Sequence, residues 1–142
     1  MLYEEDMMKK TLVAELDFRV NVYDIDAMGI VSNIVYIRWF EDLRMAYLDA
    51  NFPYKELMEE QISPIIMNTE AAYKEPVTIY DHPIGRCWMT AVGGSSWEMA
   101  FEISSGDRIH CTGIQKGCFY DVAKKRVTRM PARLANPFKD KV

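Results

Sequence analysis

Two acidic side chains stand just before the longest predicted helix. Asp24 and Asp26 are separated by a single residue within an otherwise apolar stretch, residues 22–31. Asx turns that fix the loop would also explain them. The start of the following helix presents unpaired backbone N–H groups and a positive dipole end, which can polarise a carbonyl oxygen. A carboxylate across from that helix start would complete a site for acyl transfer, as nucleophile or as general base.

Other side chains are weaker candidates for chemistry. The three cysteines, Cys87, Cys111 and Cys118, form no CxxC pair, so we expect free, inert thiols in a reducing compartment. His82 and His110 lack the spacing of metal ligands, which disfavours both a metal site and a Cys–His nucleophile. The sequence contains no glycine-rich nucleotide motif, no HExxH and no GxSxG elbow. We therefore expect neither a metal nor a cofactor.

A long helix is predicted directly after the acidic loop. Helical periodicity begins at Ser32 or Asn33, both good N-caps, and continues to about Asn51, where Pro53 ends it. The helix is apolar around most of its circumference. Such a helix is covered on several sides, so we expect it at the centre of the fold with its N-terminus at the acidic loop.

Alternation of apolar and polar residues, typical of half-buried strands, dominates the rest of the chain. The predicted strands are residues 11–22, 64–75, 84–92, 97–103 and 108–121. Hairpin turns are predicted at residues 93–96 and 105–107, where glycine and serine cluster. Residues 54–61 predict a short second helix, and we expect the tail from Met130 onward to be irregular.

The order of these elements predicts an α+β fold. One strand, one long buried helix and four consecutive antiparallel strands give a five-stranded sheet. The only partner available to the broad apolar surface of the helix is that sheet, so we expect the sheet to wrap around one long central helix. The length of 142 residues fits a single domain over residues 1–142.

Composition excludes several classes of function. Hydrophobic residues make up 49% and charged residues 27% of the chain, which is typical of a globular protein. The net charge of −4 disfavours a nucleic-acid partner. No apolar stretch approaches the roughly 18 residues of a membrane span, and the acidic N-terminus does not resemble a secretory signal. We predict a cytoplasmic protein without a membrane span.

Residues 24–36 carry a resemblance to a known family. Their sequence is Asp-Ile-Asp-Ala-Met-Gly-Ile-Val-Ser-Asn-Ile-Val-Tyr, followed by Trp39-Phe40-Glu41 and Arg44. This pattern is similar to the signature of hotdog-fold acyl-CoA thioesterases, most of all to the 4-hydroxybenzoyl-CoA thioesterase-like family. The resemblance covers about residues 12–131. It implies an antiparallel sheet wrapped around a long helix, which agrees with the element order reached from the pattern alone.

The resemblance also implies roles for individual residues. The second acid of the motif, Asp26, is implied to be catalytic, and the backbone amide of Asn33 is implied to bind the thioester oxygen. Gly29 and Tyr36 of the same motif are implied to contribute to substrate binding. Two residues depart from the family pattern, because Ile25 replaces a Thr or Cys and Asn33 replaces a His or aromatic residue. The second departure bears on the class of substrate.

The implied activity is hydrolysis of an acyl-CoA or acyl-carrier-protein thioester to a free acid and a thiol, without a cofactor. Two alternatives stay open. One is a non-catalytic module that binds acyl thioesters, from which the presence of Asp26 distinguishes an enzyme. The other is a hotdog hydratase or dehydratase, which would use a histidine near the central helix. Neither His82 nor His110 lies near residues 24–45 in the sequence.

The remaining expectations concern binding partners. Lys124, Lys125 and Arg126 form a basic run that could meet the phosphates of CoA or an acidic carrier protein, although such a run is as often a solvated tail. The resemblance implies a homodimer or tetramer whose subunits pair edge to edge. Association would also cover the strand edges and the aromatic surface that one helix and five strands leave exposed.

Overall fold

The computed structural model describes residues 13–141, with the backbone alone for residues 140 and 141. In chain order the elements are β1 (Val13–Asp17), a 3-10 turn (Val22–Asp24), α1 (Asn33–Asn51), α2 (Tyr54–Glu59), β2 (Ile62–Tyr73), β3 (Ile84–Val92), β4 (Ser96–Ser105), β5 (Arg108–Asp121), β6 (Arg126–Thr128) and α3 (Ala132–Lys141). None of these helices has the length and apolarity that a membrane crossing requires.

The strands form one antiparallel sheet in the order β1-β3-β4-β5-β2. The short β6 pairs with Phe119–Asp121, the last residues of β5, where the pairing between β4 and β5 has already ended. The sheet curls around α1. The predicted α+β fold, a sheet of five main strands wrapped around one long helix, is confirmed, and β6 is a small addition to it.

Helix α1 fills the concave side of the sheet and has the predicted bounds. Phe40 and Leu43 are fully buried there. The Phe40 ring stacks on Phe101 of β4, with 4.6 Å between the ring centroids. A Cβ on Gly113 of β5 would lie 2.4 Å from the Phe40 ring. The glycine therefore allows the helix to approach the sheet closely.

The first strand is shorter than predicted. Of the predicted range 11–22, the first two residues lie outside the described part of the chain, and β1 ends at Asp17. Asp17 pairs with Ile84, the first residue of β3, and the preceding Pro83 has no N–H with which to extend the ladder. The Phe18 N–H donates to the Pro83 carbonyl oxygen at 2.9 Å. The chain then leaves the sheet for the 3-10 turn.

The prediction of an irregular tail from Met130 is wrong, because α3 occupies most of it. Pro131 precedes the helix, and its carbonyl oxygen accepts the Leu134 N–H at 3.0 Å. Leu134 is 2% exposed and packs beside Trp97. Pro137 lies inside the helix and obscures its pattern in the sequence. Burial against the sheet outweighs the weak local preference.

Candidate active site

The loop between the 3-10 turn and α1 is closed on itself. Ile25 and Val31 form an antiparallel bridge across it. The Asp26 N–H donates to the Ile30 carbonyl oxygen at 2.9 Å, and the Gly29 N–H donates to the Asp26 carbonyl oxygen at 3.0 Å. Gly29 has φ +77°, which a residue with a side chain rarely adopts. This glycine therefore sets the turn that brings the chain back to the helix start.

The Asp26 carboxylate is exposed at the mouth of this loop. Its Oδ1 accepts the Met28 N–H at 2.8 Å and, at 3.4 Å, the Ile30 N–H. Within residues 13–141, its Oδ2 takes part in no hydrogen bond or ion pair. One oxygen therefore fixes the carboxylate, and the other is available to a reacting group.

The neighbouring acid, Asp24, is buried and stabilises the loop. It is 7% exposed. Its Oδ2 accepts the Asn21 N–H at 2.9 Å, and its carbonyl oxygen accepts the Ser32 N–H at 2.9 Å. Asp24 thus ties the 3-10 turn to the residue that precedes α1. The two acids, alike in the sequence, differ in the structure because one is buried in the loop and the other is exposed.

Helix α1 begins at Asn33 without a side-chain cap. Ser32 has the extended backbone of an N-cap residue, but its hydroxyl makes no capping hydrogen bond. The Ser32 carbonyl oxygen accepts the Val35 N–H at 2.9 Å. The earlier N–H groups of a first turn have no partner inside the helix, so the Asn33 amide is suited to receive a carbonyl oxygen.

A small cavity of about 80 Å³ lies beside the helix start. Its walls are Ile30, Val31, Asn33, Tyr36, Tyr73, Lys74, Glu75, Pro76 and His110. The Tyr36 ring lies 5.5 Å from the Tyr73 ring, centroid to centroid. Burial raises the pKa of Tyr36 to about 12, although the Val77 backbone N–H opposes the shift, so its hydroxyl stays protonated. The structure thus brings Asn33 and Tyr36 to one cavity, next to the loop that holds Asp26.

His110 also lines this cavity, although no feature of the sequence predicts it there. Its side chain is fully buried. Its Nδ1 lies 2.9 Å from the Glu75 carbonyl oxygen and its Nε2 lies 2.7 Å from Ser105 Oγ. A carbonyl oxygen only accepts, so in the neutral ring Nδ1 carries the proton and Nε2 accepts from the Ser105 hydroxyl. His110 therefore holds the segment after β2 in place, with both nitrogens engaged.

Two further residues of the sequence motif join a polar network. Arg44 is buried, with Nη1 donating to Gln115 Oε1 at 2.8 Å and Nη2 donating to Glu41 Oε1 at 2.7 Å. Gln115 Nε2 in turn donates to Thr69 Oγ1 at 3.4 Å. The network connects α1 to β5 and to β2, and it holds β2 against the helix.

The cysteines do not contribute to the site. Cys87, Cys111 and Cys118 are free and buried. Burial raises the pKa of Cys87 and of Cys111 to about 12, so both stay as thiols. Among the described residues no group of three or more His, Cys, Asp or Glu side chains is arranged to hold a metal ion.

The structure does not bring the basic run to Asp26 and Asn33 within one chain. Lys124 and Lys125 lie in the turn between β5 and β6, where Lys125 has φ +54°, and Arg126 is the first residue of β6. The turn is beside the start of β2, because the Val122 N–H donates to the Gln61 carbonyl oxygen at 2.8 Å. The helix start is beside the other end of β2, since the Tyr73 hydroxyl donates to the Asn33 carbonyl oxygen at 3.4 Å. The two places therefore lie at opposite ends of β2, a strand of 12 residues that measures about 36 Å along its backbone at 3.3 Å per residue.

A curled antiparallel sheet around one helix, with an acid and a helix start on one loop, defines the hotdog class of acyl-thioester proteins expected from the motif. The sequence model of the thioesterase-like superfamily matches residues 20–138, and the chain belongs to that superfamily. A curated protein of Aquifex aeolicus (strain VF5), provisionally named an esterase, is 36% identical over 64 residues. The aligned part is 44% of this chain and 49% of that protein, so the match spans about half of the relative's length.

Solved structures support the fold. A hypothetical protein from Aquifex aeolicus superposes with a TM-score of 0.80 at 21% identity, covering 87% of this chain and 98% of that one. A gentisyl-coenzyme A thioesterase superposes with a TM-score of 0.79 at 24% identity, with coverage of 87% and 98%. At these identities the likeness establishes the fold, and the predicted hotdog fold is confirmed.

Proposed function

We propose that this chain hydrolyses acyl-CoA thioesters, with Asp26 acting at the thioester carbon and the start of α1 binding the carbonyl oxygen. As a nucleophile, the carboxylate attacks the carbon, the C–S bond breaks, the thiolate leaves and takes up a proton, and water cleaves the resulting anhydride. As a general base, the carboxylate removes a proton from water while the water oxygen attacks the carbon, the C–S bond then breaks, and the leaving thiolate takes up that proton. Both routes yield a free acid and a thiol.

One observation carries this proposal: an exposed carboxylate, fixed by loop amides, precedes an uncapped helix start by seven residues. The Met28 N–H holds Oδ1 of Asp26 and leaves Oδ2 for the substrate. The helix start supplies N–H groups and a dipole where negative charge develops on the thioester oxygen. Membership of the thioesterase-like superfamily supports thioester hydrolysis as the general reaction. The reaction needs no group from outside the chain and the water.

The acyl group is proposed to enter the cavity beside the helix start. Tyr36 and Tyr73 offer ring faces there, and the Gly29 turn keeps the approach to Asp26 free of a side chain. Relatives with related folds include a protein named a gentisyl-coenzyme A thioesterase, which supports CoA as the thiol component. An acyl-carrier-protein thioester is the alternative substrate.

Two alternative functions lead to different measurements. A binding module would hold acyl-CoA without releasing CoA. A hydratase would use a histidine, and His110 lies in the cavity wall although it is distant from residues 24–45 in the sequence. Both ring nitrogens of His110 are engaged and the side chain is fully buried, so it is not available to move a proton on a substrate. Hydrolysis by Asp26 is therefore favoured.

The test is release of free thiol from a panel of aliphatic and aromatic acyl-CoA thioesters. We expect turnover that Asp26→Asn lowers by at least about 100-fold, with the preferred acyl group giving the highest kcat/KM. Hydration of an enoyl-CoA without thiol release, or binding of acyl-CoA without turnover across the panel, would overturn the proposal. In single-turnover hydrolysis in ¹⁸O-labelled water, label in the Asp26 carboxylate identifies the nucleophilic route with water attacking the Asp26 carbonyl carbon of the anhydride, because the general-base route places the label in the product acid alone.

A further inference from the structure

We infer that His110 determines the size of acyl group that the site accepts, because it holds the cavity wall at Glu75 and Pro76 in place. The inference rests on the proposed function, since it takes the cavity beside the helix start as the place of the acyl group. His110 acts through that wall and takes no part in the chemistry. It is therefore a positioning residue of the proposed reaction.

The wall lies where the backbone pairing between β2 and β5 ends. Just beyond β2, the Lys74 N–H donates to the His110 carbonyl oxygen at 2.8 Å. The Glu75 N–H donates to the Ile109 carbonyl oxygen at 3.3 Å. Pro76 follows and has no N–H to donate. The backbone ladder of the sheet therefore cannot hold the chain beyond Glu75.

The side chain of His110 supplies the next anchor. Its Nδ1–H donates to the Glu75 carbonyl oxygen at 2.9 Å, and that oxygen is the acceptor directly before Pro76. Its Nε2 accepts the hydroxyl of Ser105 at 2.7 Å, and this second hydrogen bond fixes the plane of the ring. The side chain is fully buried, so water does not compete for either nitrogen. The wall is thus held by a hydrogen bond whose donor has one orientation.

On the far side of Pro76 the wall is attached to the loop before α1. The Val77 carbonyl oxygen accepts the Val31 N–H at 2.8 Å, and the Val77 N–H interacts with the Tyr36 hydroxyl. The wall therefore has two anchors, the His110 side chain towards the sheet and the loop towards the helix start. The first anchor can be changed by substitution without altering the loop that carries the proposed reacting carboxylate.

The cavity behind this wall is small, so the position of the wall decides what fits. Its volume is about 80 Å³, and Pro76 and His110 both line it. A cavity of this size takes a compact acyl group, and one extra methylene against a fixed wall costs on the order of ten-fold or more in kcat/KM. A wall that has lost its anchor towards the sheet can give way to a longer group. His110 therefore sets the upper limit of acyl size.

The test compares butyryl-CoA with decanoyl-CoA by the ratio of their kcat/KM values. This ratio does not depend on how much of a variant is folded, because the concentration of active protein cancels. The side chain of His110→Gln can reach Ser105 but not the Glu75 carbonyl oxygen, and we expect the preference for the butyryl group to fall by about ten-fold. The side chain of His110→Asn places an amide N–H at the position of Nδ1, so we expect it to keep most of the native preference.

A purely structural role of His110 predicts the opposite order of the two variants. Asparagine is smaller than glutamine and leaves the larger void in the core, so His110→Asn should lower the melting temperature more than His110→Gln does. Under the inference, the less stable variant is thus the more selective one. The matched control is His82→Gln, the same substitution at the exposed histidine, which does not line this cavity. It should leave the ratio of kcat/KM values unchanged.

A binding measurement separates this inference from the proposed function. Ketone analogues of the two thioesters, in which a methylene separates the carbonyl group from the sulfur, bind without being hydrolysed, and the ratio of their Kd values reports the same preference. An unchanged ratio in His110→Gln, a relaxed ratio in His110→Asn, or equal binding of both analogues by the native protein would overturn the inference. A native protein that binds the analogues with the expected preference but releases no thiol from acyl-CoA would contradict the proposed function alone.

Discussion

Asp26→Asn separates chemistry from loop structure more sharply than any other single substitution in this chain. In the native protein the Met28 N–H donates to Asp26 Oδ1 at 2.8 Å, and the amide of the variant retains an oxygen that can accept the same hydrogen bond. The loop therefore loses only the charge-assisted part of its hydrogen bonds, about 1 kcal/mol of the free energy of unfolding. Such a change lowers the melting temperature by a few degrees at most.

The expected effect on the reaction is much larger. Asparagine can neither attack the thioester carbon nor accept a proton from water. A positioned base contributes on the order of 10²- to 10⁴-fold in rate, which is about 2.7 to 5.4 kcal/mol of activation free energy. We expect kcat for acyl-CoA hydrolysis to fall by at least about 100-fold while KM changes little. The assay is steady-state thiol release, with the melting temperature recorded on the same protein.

Asp24→Asn is the matched control, with the same chemical change two positions away. Asp24 is 7% exposed, and its carboxylate accepts the Asn21 N–H inside the loop. We expect this variant to lose stability and to keep the kcat of whatever protein remains folded. A well-folded Asp26→Asn protein with near-normal turnover would refute the assignment of Asp26. An equal loss of kcat in both variants, each well folded, would show that loop charge and not the Asp26 carboxylate is what the reaction needs.

Three more perturbations test the structure. Burial raises the pKa of Asp81, but a backbone N–H and the Arg108 guanidinium outweigh burial and hold the pKa below its ordinary value. Asp81→Asn should therefore lower the melting temperature at pH 7. The difference in melting temperature from the native protein should shrink only below about pH 4, where the native carboxylate takes up its proton. The Tyr47 hydroxyl is the buried side-chain polar atom that lacks a hydrogen-bond partner among the described residues, so Tyr47→Phe should raise the free energy of unfolding by about 1 kcal/mol in urea denaturation. Gly29→Ala should cost about 1–2 kcal/mol because φ is +77°, and it should lower kcat by shifting Asp26. Gly94→Ala, which likewise meets no atom within 4 Å but has no positive φ, is the control and should cost less.

The sequence predicted those features that local patterns determine. The bounds of α1 follow from a helical period that starts after Ser32 and stops before Pro53. The hairpin between β3 and β4 follows from Gly93-Gly94, and the Gly93 N–H does donate to the Ser96 carbonyl oxygen at 2.9 Å. That Asp26 lies close to Asn33 could also be predicted from the sequence, because the two residues are seven positions apart, one in the loop and one at the start of the helix.

The features that the sequence did not reveal depend on partners distant in the chain. His110 reaches the cavity because β5 places it beside Glu75, 35 positions earlier. The end of β1 at Asp17 depends on where β3 begins, and α3 depends on burial of Leu134 against the sheet. A local sequence pattern does not show which distant residues come into contact. The basic run is likewise far from Asp26 because β2 is long. The predicted order of the elements does not give their positions in space, so it did not reveal this separation.

The closed loop of residues 25–31 has a consequence for how the protein can change over evolutionary time. The proposed reacting carboxylate and the helix start share one short continuous segment, whose bridge and turn are its own. The cavity walls come mostly from other parts of the chain, Tyr73, residues 74–76 and His110. Substitutions in those walls can therefore alter which acyl group is accepted without moving the reacting groups. The proposed reacting groups can therefore be conserved together on one segment while the cavity walls, and with them the selectivity for the acyl group, change.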